Sequence, residues 1–135
     1  MKTHLEILKE RFCKDSLMAL ATVDENGKPW VRTIDAIFDG DSFYTITHAL
    51  TNKMKHLAVN PLAAISGDWF SGHVVGESLG YIRLEQNHAI AEKLREAFAS
   101  WYDNGHTNED DPNTIILKMK VTDGILYDHG VKYTF

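Results

Sequence analysis

One cysteine, Cys13, in 135 residues leaves no partner for an intramolecular disulfide, which excludes a small secreted scaffold stapled by bridges. Flanked by Phe12 and Lys14, that thiol reads as helix packing rather than as a nucleophile. Positive charge is also short. Fourteen Lys and Arg against 19 Asp and Glu leave a formal net charge of −5, which argues against a general nucleic-acid binder with a basic face for phosphate backbones. One small anion stays possible, since a single phosphate needs only one or two well-placed cations. No apolar run approaches the ~20 residues needed to span a bilayer, so no membrane partner is expected. The opening residues Met1-Lys2-Thr3-His4-Leu5-Glu6 carry charge where a secretory leader would be apolar. A reducing cytoplasm is the expected compartment.

Nucleotide-binding glycine loops are missing as well: there is no GxGxxG and no Lys-Ser/Thr of a P-loop. Gly72, Gly76 and Gly80 recur every fourth residue, but His73 and Glu77 between them do not belong to a membrane helix. Bulges in a curved barrel strand explain them better. The seven histidines, His4, His48, His56, His73, His88, His106 and His129, form no HxH or HExxH group, so a zinc site is not expected.

What is present is ordinary for a soluble globular chain: 44% apolar and 24% charged residues, without repeats, linkers or composition breaks. The length suits one domain over residues 1–135, long enough to bury a core. Residues 3–14 place Leu5, Leu8 and Phe12 at helical spacing, with Thr3 and Glu6 as a capping box. Three strands follow, over residues 16–23 (SLMALATV), 30–38 (WVRTIDAIF) and 42–47 (SFYTIT), separated by Asn-Gly and Asp-Gly turns. That is an antiparallel meander. A short helix is expected over residues 52–59, capped by Thr51 and closed before Asn60-Pro61. Strands are expected over 62–70 and 74–84, a longer helix over 87–102 with Ile90, Leu94, Phe98 and Trp101 on one face, and a polar loop over 103–113. Residues 114–121 and 125–127 complete the pattern as a last hairpin across Asp123-Gly124. The expected class is α+β, mainly β: a six-stranded antiparallel barrel with flanking helices.

Arg32 lies in a strand between Val31 and Thr33, where a charge is costly unless paired. Taken alone, it fits a solvated strand face better than a ligand contact. Thr51-Asn52-Lys53 adds a hydroxyl, an amide and an ammonium at a helix start, where free amides and the dipole favour an anion. Taken alone, that triplet fits a simple cap. Together, with residues 44–47 on the intervening strand, the three elements can line one shallow phosphate pocket. Arg32 would clamp the anion bidentately and Lys53 would add a point charge.

In LATVDENGKPWVRTI, FYTIT and TNKMKHLAVNPLAAI the chain resembles the pyridoxamine 5′-phosphate oxidase-like FMN-binding split barrels. The likeness covers roughly residues 17–67, and the later element order fits more loosely. It implies a split β-barrel with FMN as cofactor, its phosphate held by Arg32 and Lys53. Backbone around Thr33 and Ile34, and around Thr45, Ile46 and Thr47, would run along the flavin ring and ribityl chain, with Thr51 and Asn52 at the helix start. Asn52 stands where many members carry a second cation or a glutamine, which implies weaker phosphate affinity. The resemblance also implies a homodimer with cofactor sites at the interface, to which the partner copy would contribute Trp69, Phe70 and His73. Packing of Trp69 and Phe70 in their own subunit is the equal alternative. His73, near the implied pocket, is the one candidate proton donor. An oxidoreductase acting on a small molecule is implied. The last residues, 125–135, lack the arginine-rich substrate-phosphate pocket of the authentic oxidase, so a different substrate is expected. A non-catalytic FMN or redox-stress protein, and a split barrel for haem or deazaflavin, are the other classes. The four acids of the loop over 103–113 would, if they border the pocket, repel anionic substrates.

Overall fold

The computed structural model describes residues 1–105 and 107–135; His106 lies outside the described residues. The chain begins with α1 (His4–Phe12), whose cap is the expected one: Thr3 Oγ1 accepts from the amide of Glu6 at 3.2 Å. The meander follows as β1 (Ser16–Val23), β2 (Pro29–Asp39) and β3 (Ser42–His48), then α2 (Asn52–Val59), as the helix signals require. β4 (Leu62–Gly67) and β5 (Phe70–Tyr81) form a hairpin. A 3-10 turn (Glu85–Asn87) then leads into α3 (His88–Ala97), and β6 (Thr114–Asp128) and β7 (Val131–Thr134) end the chain.

Strand pairing runs β3-β2-β1-β4-β5-β6, and β6 also pairs with β3, from Ser42↔Lys120 to His48↔Thr114. This closes the six-stranded antiparallel barrel expected from the pattern. β7 adds a short outer strand to the second half of β6. Inside, the inward row of β1 (Met18, Leu20) meets Phe38, Phe43, Ile65, Phe70, Leu117 and Met119, with Leu8 and Phe12 of α1 plugging one end. Phe43 stacks on Phe70 and meets Phe38 and Phe12 edge-on, with centroids 5.0–5.9 Å apart. Each such ring contributes about 1.5–3 kcal/mol by burial. A second cluster packs Ala91, Leu94 and Phe98 against Ile37, Ile82 and Ile116, which fixes α3 on the outside of the barrel.

Four expectations need correction. The hairpin across Asp123-Gly124 does not exist, because β6 runs straight through it. Gly124 faces Gly72 across the ladder, and a Cβ on Gly72 would lie 2.6 Å from the carbonyl oxygen of Asp123. The glycines serve a close crossing of β5 and β6 under Phe70; the true last turn is His129-Gly130, with φ of 48° and 77°. β4 stops at Gly67 rather than running to residue 70, because Asp68 and Trp69 both take left-handed φ, 41° and 62°. That is a primed two-residue hairpin without glycine, hidden behind the bulk of tryptophan. β5 therefore starts at Phe70 and ends at Tyr81, with irregularities at His73/Val74 and Ser78/Tyr81 where the barrel strand curves. α3 ends at Ala97, and Phe98 and Trp101 continue its apolar face in turns.

The feature that positions the site is an opening in the barrel wall. β1 pairs with β2 over its whole length, from Ser16↔Ala36 to Val23↔Pro29, but β2 and β3 pair only from Ile37↔Tyr44 to Asp39↔Ser42. Beyond that, β3 leaves β2 to follow β6. A last bond, from Thr45 Oγ1 to the carbonyl of Asp35 at 2.6 Å, marks where the two strands part.

Candidate anion and cofactor site

Arg32 belongs to the inward row of β2 with Ile34 and Ala36, the row that fills the barrel, and not to a solvated face. At the barrel mouth the guanidinium meets Thr22 of β1: Nη1 donates to Thr22 Oγ1 at 2.6 Å, to the carbonyl of Trp30 at 3.2 Å and to that of Leu20 at 3.4 Å. Lys53, in the first turn of α2, donates to Thr47 Oγ1 at 2.5 Å and to Thr51 Oγ1 at 3.5 Å. Thr51 gives α2 no side-chain cap. Its hydroxyl turns back to the carbonyl of His48 at 3.0 Å, so the first amides of the helix stay available.

Burial lowers the pKa of both cations, and for Lys53 the positive charge of Arg32 adds to the effect. Among the described residues neither has a carboxylate within ion-pair distance, in a chain with more acids than bases. Two half-buried cations that push on each other, beside free helix amides, are uncomfortable without an anion and comfortable with one.

From this end the opening between β2 and β3 runs as a cleft of about 210 Å³ lined by Thr33, Ile34, Asp35, Thr45, Ile46, Lys53, Phe98 and Trp101. Phe98 and Trp101, stacked with centroids 4.9 Å apart, form an aromatic side of it. At the far end Trp101 Nε1 donates to Asp15 Oδ2 at 2.7 Å, while Asp15 Oδ1 is buried without a partner among the described residues. Burial, and then hydrogen bonding to Asp15, push the Asp35 carboxyl up to about 6. Asp35 therefore holds a proton more readily than an ordinary aspartate.

The structure thus brings Arg32, Thr33, Ile34, Thr45, Ile46, Thr47, Thr51 and Lys53 together, with Asn52 exposed beside them on α2. It does not bring Trp69 or His73 to the cleft of the same protomer. Trp69 is 75% exposed at its turn, edge-on to Tyr127, and His73 points outward from β5 to an ion pair with Asp123 at 2.7 Å. Phe70, only 2% exposed, is core, which settles that residue for its own subunit. Phe98, Trp101, Asp15 and Asp35 were not singled out from sequence as site residues. Trp101 at the polar end of a helical apolar stripe was the available signal.

The acidic loop is tied down. Glu109 accepts from Arg95 at 2.7 and 2.9 Å and from the Tyr102 hydroxyl; Asp110 pairs with Arg83 at 2.8 Å and Asp111 with His48 at 3.0 Å. Glu109 and Asp110 thus have arginine partners.

The model of the family described as pyridoxamine 5′-phosphate oxidase matches residues 5–127, and the chain belongs to that family. Among curated relatives, the pyridoxine/pyridoxamine 5′-phosphate oxidase of Shewanella pealeana is 36% identical over 69 residues, 50% of this chain and 32% of that protein. The match therefore spans about a third of the relative's length. Of solved structures, a heme binding protein from Mycobacterium smegmatis superposes with a TM-score of 0.73 at 14% identity, over 100% of this chain and 59% of that one. A FAD-binding protein from Mesorhizobium loti superposes at 0.68 and 11% identity, over 91% and 92%. At such identities the likeness is one of fold.

Proposed function

We propose that this chain is an FMN-dependent oxidoreductase acting on a small molecule, with the cofactor phosphate held by Arg32 and Lys53. The observation that carries this reading is that pair of half-buried cations, Lys53 lining the cleft and Arg32 beside it, with no carboxylate within ion-pair distance among the described residues. Thr51, Asn52 and the first amides of α2 complete the phosphate cradle. Thr33, Ile34, Thr45, Ile46 and Thr47 border the ring and ribityl chain, and Phe98 with Trp101 keeps water from one face. FMN, when bound, supplies the hydride and electron chemistry. The protein orients it, and Asp35, whose carboxyl is raised to about 6, lines the same cleft. Family membership supports a flavin, and the relatives named for FAD and haem mark the range of ligands that the fold accepts.

A homodimer with cofactor sites at the interface is part of the proposal. Leu17 of β1, Val31 of β2 and Leu62 of β4 are 69%, 71% and 50% exposed. Through the pairs Ala21↔Val31 and Ala21↔Ala64 they share one mostly apolar outer face with Ala19 and Ala64, at whose edge Asp35 pairs with Leu17. A second copy on that face would bury well over ~1,000 Å² and would bring Trp69 and His73 of one copy toward the cleft of the other. A cytoplasmic setting agrees with the free, exposed Cys13.

The absorption spectrum of the purified protein is the test. Oxidised-flavin bands that disappear on reduction and return with an electron acceptor are expected. An intense Soret band would replace the reading with haem, and a flavin that no acceptor reoxidises would mark a carrier. Sedimentation as a monomer at micromolar concentration would contradict the shared site.

A further inference from the structure

We propose that Thr22 and His56 are positioning residues that aim Arg32 at the ligand phosphate through a directed chain of hydrogen bonds. The inference rests on the phosphate site proposed above. Thr22 is fully buried at the end of the inward row of β1, where its hydroxyl follows the apolar Met18 and Leu20. A hydroxyl there is costly unless both its functions are used. Thr22 Oγ1 accepts from Arg32 Nη1 at 2.6 Å and lies 2.8 Å from His56 Nδ1 on α2.

Donor counting sets the direction. A guanidinium only donates, so the bond to Arg32 uses a lone pair of Thr22. Thr22 keeps its one hydroxyl proton, and the proposed chain gives it to the acceptor 2.8 Å away, His56 Nδ1. The chain runs from Arg32 N–H to Thr22 O–H to His56 Nδ1, and it ties β2 through β1 to α2, the helix that carries Lys53.

The consequence is orientation. All three bonds of the guanidinium use Nη1, toward Thr22 and the carbonyls of Trp30 and Leu20. Among the described residues Nε and Nη2 have no partner, so the opposite edge of the fork is presented to a ligand. An arginine already held on one side loses less side-chain freedom when it grips a phosphate. Thr22 and His56 touch no ligand in this scheme and act only through Arg32.

The test compares dissociation constants for FMN and for riboflavin, which lacks the phosphate, by quenching of flavin fluorescence. The ratio isolates the phosphate contribution. Thr22→Val keeps the shape and removes the hydroxyl; it is expected to lower the preference for FMN about three- to tenfold while riboflavin binding holds. Thr22→Ser is expected to restore it. His56→Ala is expected to lower the ratio less, and His56→Asn, whose amide oxygen can stand where Nδ1 stood, to recover part of the loss. The His56 pair decides the matter even if Thr22→Val fails to fold. An unchanged ratio in folded Thr22→Val or His56→Ala, or losses that neither Thr22→Ser nor His56→Asn recovers, would overturn the positioning role. A wild-type protein that binds both flavins equally would overturn the phosphate site itself, a distinct outcome.

Discussion

Arg95 and Arg32 are both half-buried arginines near the same barrel, and their surroundings differ completely. Arg95 faces Glu109 with two bonds and Glu92 with a third, and Tyr102 completes the shell around the Glu109 carboxylate. Arg32 faces only neutral oxygens, with Lys53 as its charged neighbour. The contrast carries into the titrations. The Arg95 hydrogen bonds hold Glu109 down at about 2 and raise Arg95, whereas burial lowers both Arg32 and Lys53. A cation with its carboxylate in place contributes to the fold; one buried without a counter-charge costs stability until a ligand supplies the charge.

The largest expected effect is on the paired side. Glu109→Gln should lower folding stability by about 1.5–3 kcal/mol at pH 7 and leave flavin affinity within twofold, read by denaturant unfolding and titration. Its pH dependence has a definite sign. The folded carboxyl lies at about 2 against an ordinary 4.5, so its stabilisation is present above 4.5 and fades as pH falls toward 2. The variant's deficit should shrink through that window, and a deficit independent of pH would break the contrast.

On the unpaired side the effect moves from stability to binding. Arg32→Ala should weaken FMN binding by about 1.5–3 kcal/mol, the range for hydrogen bonds to a charged group. Asp35→Asn probes the cleft's other end. Its carboxyl is raised to about 6 from an ordinary 3.8, so the native acid is most favourable to folding below 3.8 and loses that advantage as pH rises through 6. The amide should therefore raise stability by about 1–2 kcal/mol at pH 8, allowing for solvent screening, and do little at pH 3.5. Equal effects at both pH values would show that the Asp35 proton is not what the substitution removes. Smallest, Lys53→Ala should cost FMN affinity about 0.5–1.5 kcal/mol, because an ammonium offers a point charge and no planar fork. A loss larger than that of Arg32→Ala would reverse the proposed roles.

The unpaired side of this contrast was legible in the amino-acid order; the Arg95–Glu109 pair, which ties a helix to a loop that reads only as polar, was not. The meander and α2 were readable because Asn-Gly and Asp-Gly turns and a helix start are local signals. The meeting of Arg32 and Lys53 followed from three consecutive elements. Asp123-Gly124 misled because a glycine needed for close approach of two strands looks like one needed for a turn. Asp68-Trp69 misled the other way, as a turn with no glycine. Phe98 and Trp101 reach the cleft from a helix distant in sequence, and the Asp15–Asp35 pair brings together residues from the α1–β1 connection and β2. Pairings of that kind depend on barrel closure, which no local pattern encodes. Thr22 left a faint trace, a hydroxyl following Met18 and Leu20 in an inward row.

The central claim, that Arg32 is held unpaired for an anionic ligand, is tested most directly by thermal unfolding of wild type and Arg32→Ala with and without saturating FMN. The variant should melt at or above the wild-type temperature in the absence of ligand, since an uncompensated buried charge has been removed, and should lose most of the upward shift that FMN produces. A variant that melts well below wild type without ligand, yet gains the full FMN shift, would contradict the account.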